Sequence, residues 1–359
     1  MIHLAYRAPR YSTIIGKIFE KIAFSKFGLP KGFPTFWRNG NHLAWRKPTR
    51  APHSISCHLI EAFKRKEGKI KFYDLYENTV CNLKSGDIFI GVPIQVFEEK
   101  AWGDSAIHRV TARTLEAYAN RDDIKKVVIM PYTHDPRYNI ATTELIKRYG
   151  KNLIIVSGEI WKRTWDLSPL KEYVKDLLQV EMAVDSADYP VVKKSFNAPG
   201  KRKYLYVGHT GHYKNIAQME ALAEALPDFQ GGHIGLGTIK GWKKISDFAD
   251  LTPEFMSKIA EEYDIFMNTS SADASVTTVL EQMCFGFAVA CTPESGYAYD
   301  SIAALSINDT QKNVELLTSL QNEDEQSLLA KSRKNREYAI RFHNWDIFTE
   351  KIYDYLMKK

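Results

Sequence analysis

The hydrophobic positions of this chain switch repeatedly between two periods. In the first half, short apolar runs of strand length at 42–45, 70–76, 87–92, 126–131 and 153–156 alternate with helical spacing at 54–66, 109–120 and 142–149. The order recurs in the second half. A strand at 204–208 leads to a helix at 216–225, a strand at 233–236, a helix at 253–262, a strand at 265–268, a helix at 275–284 and a strand at 288–291. Alternating strands and helices predict parallel sheets covered on both faces, because a parallel crossover needs a connection of helix length. Two such series predict an α/β protein of two doubly wound Rossmann-like units. Ligands of these sheets bind beyond the carboxyl ends of the strands, so a cleft between the units is the expected active site.

Length agrees: 359 residues exceed one ordinary core and fit two domains of roughly 100 to 200 residues each. The expected division is an N-terminal domain over 1–188, a second over 189–340 and a last segment over 341–359. The first forty residues stand apart. Ile14, Ile15, Ile18, Phe19 and Ile22 recur at helical spacing among Lys17, Lys21 and Lys26, followed by Gly28 to Gly40 with Phe33, Phe36 and Trp37. Two readings are open: a helix packed on its own domain, or a basic amphipathic helix in peripheral contact with a membrane.

Composition narrows the class. Hydrophobic residues at 44% and charged residues at 26% describe a globular chain, and no apolar run reaches the ~20 residues of a spanning helix. The start of the sequence lacks the basic, apolar and small-residue succession of a signal peptide, which makes the cytoplasm the expected compartment. Cys57, Cys81, Cys284 and Cys291 have no metal or redox spacing and read as reduced and buried. A net charge of +6 with interspersed acids does not indicate nucleic acid, and it suits an anionic ligand or surface.

The segment richest in chemistry runs Asp264-Ile-Phe-Met-Asn-Thr-Ser270, then Ser271-Ala-Asp-Ala-Ser-Val-Thr-Thr-Val-Leu-Glu281, then Gln282-Met-Cys-Phe-Gly286 and Phe287-Ala-Val-Ala-Cys-Thr292. A strand ends, a small-residue loop follows, and a helix begins near Ser275. Free N–H groups of Val276 and Thr277 at that helix start would suit phosphate oxygens. Asp273 at the mouth and Glu281 along the helix would take hydroxyls on either side of them. The competing reading makes Asp273 a plain helix cap and Glu281 a solvated helix residue.

This segment resembles glycosyltransferase family 4 of the GT-B fold, in which two acids separated by seven residues stand in the same strand, loop and helix. The resemblance implies that Asp273 touches the transferred sugar, with Asp where the family usually carries Glu, and that Glu281 binds the ribose hydroxyls. Upstream, Val207-Gly-His-Thr-Gly-His-Tyr-Lys-Asn215 is similar to the family's loop in which a glycine and an arginine precede a lysine. Gly208 ends the strand, His209 stands at the arginine, and Lys214 falls on the lysine that would neutralise the leaving diphosphate. His209 would serve either protonated or with help from His212. Met182 to Tyr189 and Phe342-His-Asn-Trp345 resemble the family's hinge segment and its entry to the last helix, which crosses back to the N-terminal domain. His134, in Thr133-His-Asp135, occupies the place of a histidine near the donor sugar and is the third catalytic candidate. Arg46, Lys47, Arg50 and His53 lie in the loop expected at 46–54 and would face an anionic acceptor.

The implied function is a retaining, metal-independent transfer of a sugar from a UDP- or GDP-sugar to a hydroxyl of a saccharide or lipid-linked glycan, as in polysaccharide biosynthesis. The nucleotide sugar is a substrate, and no further cofactor is expected. The alternatives are a catalytically decayed nucleotide- or glycan-binding protein, a nucleotide-sugar epimerase, or an inverting transferase of the same fold. Neither half carries the glycine fingerprint and following acid of a dinucleotide-binding dehydrogenase.

Overall fold

The computed structural model describes residues 1–6, 18, 22, 51–67, 70–74, 77–91, 109–129, 147–148, 150–158, 171–273 and 275–358. Contacts divide the chain into two compact units: Met1–Ser157 with Lys162–Val180 and Thr349–Lys359, and Gly158–Trp161 with Glu181–Phe348.

In the first unit the order is β1 (Ile2–Tyr6), α1 (Ala51–Glu67), β2 (Ile70–Asp74), β3 (Ile88–Gly91), α2 (Arg109–Ala117), β4 (Lys125–Ile129), β5 (Leu153–Ser157) and β6 (Asp176–Gln179). All six strands are parallel, in the order β2-β1-β3-β4-β5-β6. Ala5, Phe89 and Val128 of the strands close on Val110 and Leu115 of α2 and on Cys81 and Leu83. The buried Lys126 ammonium donates to the Tyr118 and Arg121 carbonyls at 2.9 and 2.6 Å, meeting backbone acceptors just beyond α2.

Helix α1 starts three residues earlier than its apolar spacing implies. Pro52 needs no N–H partner in a first turn, so the helix takes in 51–53 from what the sequence suggested was loop. Of the basic loop residues, Arg46, Lys47 and Arg50 lie outside the described residues, as does His134. Ile18 and Ile22 are helical and exposed; the rest of the expected N-terminal helix lies outside the described residues.

In the second unit the order is β7 (Tyr204–Val207), α3 (Ile216–Ala225), β8 (Gly231–Ile234), β9 (Trp242–Ser246), α4 (Pro253–Glu262), β10 (Ile265–Asn268), α5 (Thr277–Phe285), β11 (Ala288–Cys291), β12 (Ala303–Ala304), α6 (Thr310–Asn322), α7 (Glu325–Phe342) and α8 (Trp345–Met357). The strands again run parallel, in the order β12-β11-β10-β7-β8-β9. The order reverses between β7 and β10, which lie side by side with Tyr204 opposite Ile265. That reversal is the topological switch point at which doubly wound sheets bind ligands. Helices α4, α6 and α7 start at Thr252, Asp309 and Asp324, whose side chains accept from backbone N–H groups three residues on.

Helix α8 begins in the second unit and from Thr349 belongs to the first. There the Lys125 ammonium donates to the Leu356 and Lys358 carbonyls at 2.6 Å each, and Tyr353 donates to Glu67. All four cysteines are buried, and none forms a disulfide. No helix among the described residues is long and apolar enough to cross a membrane.

Candidate functional site

Strand β7 delivers the chain to Gly208, where packing is tight. The Gly208 N–H donates to the Ile234 carbonyl at 2.9 Å, and its own carbonyl sits 2.8 Å from His233 Nε2. A side chain on Gly235 would run into that carbonyl, and one on Gly237 into Thr210. Both backbone groups of Gly208 are therefore bonded within the protein. Gly208 thereby contributes close approach of two strand ends.

The loop that follows is stiffened from within. The Tyr206 hydroxyl donates to the His209 carbonyl at 2.8 Å, and the Gly211 N–H donates to His209 Nδ1 at 3.0 Å. With Nδ1 accepting, Nε2 carries the proton and meets the Tyr213 hydroxyl at 2.7 Å. Loss of solvent, then the nearby Lys214 charge, hold the His209 pKa below its ordinary value. His209 is thus a neutral imidazole with both nitrogens engaged, so it does not replace the family's arginine as a cation. His212 is exposed.

A short turn over His212–Lys214 ends at Asn215, which adopts left-handed dihedrals of 52° and 51° to enter α3. The loop leaving β10 is fastened to this turn. The Ser271 N–H donates to the Tyr213 carbonyl at 2.8 Å, and the Thr269 hydroxyl lies 3.2 and 3.1 Å from the Lys214 and Asn215 carbonyls. The adjacency of β7 and β10 thereby brings two of the expected site residues together. Lys214 Nζ and Asp273 Oδ2 form an ion pair, with the residues only 7% and 8% exposed. Asp273 is not a helix cap: Val276 holds the cap position of α5, without a side-chain bond.

The start of α5 differs from expectation. The Val276 N–H is not free, since it donates to the Ser295 carbonyl at 3.0 Å. Ser295 is itself fixed by its hydroxyl, 2.8 Å from Asn268 Oδ1. The helix consequently begins at Thr277, two residues later than the apolar spacing suggests. Thr277 and Thr278 are the first-turn positions whose N–H groups lack an intrahelical acceptor by geometry.

Glu281 lies one turn along α5 and is partly buried. The Tyr189 hydroxyl donates to its Oε1 at 3.4 Å, and the Tyr189 ring meets Phe285 edge-on at 5.3 Å. Loss of solvent pushes the Glu281 carboxyl up to about 7, with the Tyr189 bond acting in the opposite direction. A merely solvated helix glutamate would lack that displacement. Tyr189 was not singled out by the sequence, although it closes the hinge-like segment that starts at Met182. Among the described residues no cluster of three His, Cys, Asp or Glu side chains is placed to hold a metal ion.

No protein-family model matches the sequence, and no curated protein matches it. Solved structures do. WaaG, a glycosyltransferase involved in lipopolysaccharide biosynthesis, superposes with a TM-score of 0.54 at 12% identity over 100% of both chains. The UDP-forming α,α-trehalose-phosphate synthase from Burkholderia xenovorans, in complex with glucose-6-phosphate, gives 0.57 at 9% identity over 99% of both. A mutant of S. aureus TarM in complex with Fondaparinux, alpha-GlcNAc-glycerol and UDP gives 0.52 at 12% identity, over 85% of this chain and 59% of TarM. The chain thus spans about three fifths of the length of TarM. The architecture shared with these proteins is the GT-B fold, two doubly wound parallel-sheet units in one chain.

Proposed function

We propose that this protein is a glycosyltransferase that moves a sugar from a nucleotide-diphosphate sugar to a hydroxyl of a saccharide or lipid-linked glycan, with retention of anomeric configuration and without a metal ion. The observation that carries the reading is the buried Lys214–Asp273 pair at the switch point of the second sheet, with Glu281 on the adjoining helix.

A diphosphate arriving there would exchange one anionic partner of Lys214 for another. The Lys214 ammonium and the first amides of α5, at Thr277 and Thr278, would hold its oxygens and neutralise the charge that grows as the sugar leaves. Asp273, released from the lysine, would accept from a hydroxyl of the transferred sugar, and the ionised Glu281 carboxylate from the ribose hydroxyls. The acceptor hydroxyl would attack on the face the diphosphate leaves, which retains configuration. His134 remains the candidate for a further contact near the sugar. WaaG, trehalose-phosphate synthase and TarM, with which this chain shares its fold, support the donor class. Peripheral membrane contact through the basic N-terminal region belongs to the same proposal, supported by the exposed Ile18 and Ile22. Binding to anionic vesicles that survives in a chain with both isoleucines changed to aspartate would refute that contact.

The reading is tested by incubating the protein with UDP- and GDP-sugars and following donor hydrolysis and transfer by NMR. Release of a nucleoside diphosphate and an axial anomeric product from an axial donor, both abolished in Glu281→Ala, is expected. Nucleotide binding without turnover would point to a decayed binding protein, and an inverted anomer to an inverting transferase.

A further inference from the structure

Buried polar groups without a partner are uncommon, because each leaves its lost hydration uncompensated. Among the described residues, four gather on the segments that end or follow β10 and β11: Asn268 Nδ2, Ser270 Oγ, Glu294 Oε2 and the Tyr297 hydroxyl. Two of them come from one loop, 292–297, which no sequence motif marked.

Tyr297 is the most constrained of the four. It is 2% exposed, and its ring meets the His343 ring edge-on at 5.4 Å. His343 is itself immobilised, with Nδ1 2.8 Å from the Met182 carbonyl and Nε2 2.6 Å from the Tyr299 hydroxyl. Gly296, with φ of 102°, turns the chain into Tyr297 in a conformation that side-chain-bearing residues rarely adopt. The ring is therefore clamped, and its hydroxyl is not free to swing toward another acceptor.

The surroundings of that hydroxyl indicate what it would meet. Loss of solvent, with the charges of Glu181 and Asp273 adding to it, pushes its pKa far up, so it stays protonated. The field of those two carboxylates would repel a phosphate and suit a neutral, hydroxyl-bearing group, and the bond from the Val276 N–H to the Ser295 carbonyl ties the 292–297 loop to the helix start that follows Asp273. A sugar hydroxyl can give its proton to a carboxylate and accept one from a phenol at the same time, whereas a fully ionised phosphate oxygen only accepts.

We propose that the Tyr297 hydroxyl donates a hydrogen bond to a hydroxyl of the transferred sugar beside Asp273, and so positions the sugar portion of the donor rather than its nucleotide. This rests on the donor-site reading above. Tyr297 is a positioning residue in this scheme: no bond to it forms or breaks.

The test is Tyr297→Phe, which keeps the ring and removes the hydroxyl. Calorimetric titration of the wild type and the variant would use UDP, GDP and their glucose conjugates. The expected result is an affinity for the nucleotide sugar lowered about tenfold, an affinity for the bare nucleoside diphosphate unchanged within about twofold, and a Tm no lower than that of the wild type. Equal affinities of the two proteins for the nucleotide sugar would overturn the proposal, as would parallel losses for sugar-bearing and bare nucleotide. A fall in Tm of more than about five degrees would also overturn it, by assigning the hydroxyl a partner within the fold. A wild type that binds none of the four ligands would instead refute the donor-site reading, and this inference with it.

Discussion

Lys214 and Asp273 stand 59 residues apart in sequence, yet the ammonium of one and the carboxylate of the other are ion-paired in a nearly water-free setting. On the proposed reading each is the other's substitute ligand: a diphosphate would have to take Lys214 from Asp273 before either could act on a donor. Asp273→Asn leaves a buried ammonium without its counterion, at a cost of about 3 kcal/mol. Urea unfolding should show that loss, and UDP or GDP should restore part of it by supplying the missing anion. The same variant should bind the bare diphosphate several-fold more tightly than wild type while transferring sugar at least ~100-fold more slowly. Unchanged diphosphate affinity would contradict the exchange.

Glu281 gives a pH signature with a definite sign. Its carboxyl is raised from an ordinary 4.5 to about 7 in the folded chain, so between those values the folded state holds a proton that the unfolded state has lost. Stability therefore falls as pH rises from 4.5 through 7, by on the order of 2 kcal/mol after allowance for residual exposure. Glu281→Gln should remove that slope and unfold at a higher temperature than wild type at pH 8, with little difference at pH 4.5. Donor affinity should move the other way, rising in wild type from pH 6 to 8 as the carboxylate forms and staying flat and weak in the variant. Calorimetry across that range checks both halves.

At the end of β10 opposite the site loop, Asp264 is completely buried with its carboxylate fully engaged. Lys193 Nζ lies 2.7 Å from Oδ1, the Asn197 N–H and side-chain amide each donate at 2.9 Å, and the Lys203 N–H donates at 3.1 Å. Lys193 also donates to the Ala260 carbonyl at 2.7 Å. Asp264→Ala should cost about 3 to 5 kcal/mol, since it strands a buried ammonium and three donors. Denaturant titration of the variant is the check, and a loss below ~1 kcal/mol would show the network to be dispensable.

The sheets were legible where burial is symmetrical. Strands 265–268 and 288–291 are almost wholly apolar, helix 216–225 is rich in the good helix formers Ala, Leu, Met and Glu, and helix 253–262 carries clear periodicity; all four stand where the pattern places them. Edge strands were not. In β9 two lysines follow Trp242, and β6 is mostly half-exposed, so neither shows the continuous apolar run of a central strand. Helices α6 and α7, rich in Lys, Asn, Gln and Glu, bury only narrow stripes and gave a weak signal. The spacing of Asp273 and Glu281 could be read along the chain, because one loop and one helix carry both. The Lys214 pair could not, since it depends on β7 lying beside β10. The loss of the Val276 amide to Ser295 is likewise a contact through space.

His209 offers a gain-of-binding test. As a neutral ring with both nitrogens bonded within its own loop it supplies no charge to a diphosphate. His209→Arg should raise nucleoside-diphosphate affinity by roughly tenfold through a charge-assisted contact, with the fold intact by circular dichroism. An unchanged affinity would place the diphosphate away from this loop.

The most direct measurement is a thermal-shift comparison of wild type and Glu281→Ala against UDP, GDP, ADP and their sugar conjugates. A ligand at a hundredfold its dissociation constant stabilises by ~2.7 kcal/mol, a rise of a few degrees for domains of this size. The account predicts such a rise for one nucleotide and its sugar conjugate in the wild type and none in the variant. No rise with any of them, or an equal rise in both proteins, would contradict a donor site built on Lys214, Asp273 and Glu281.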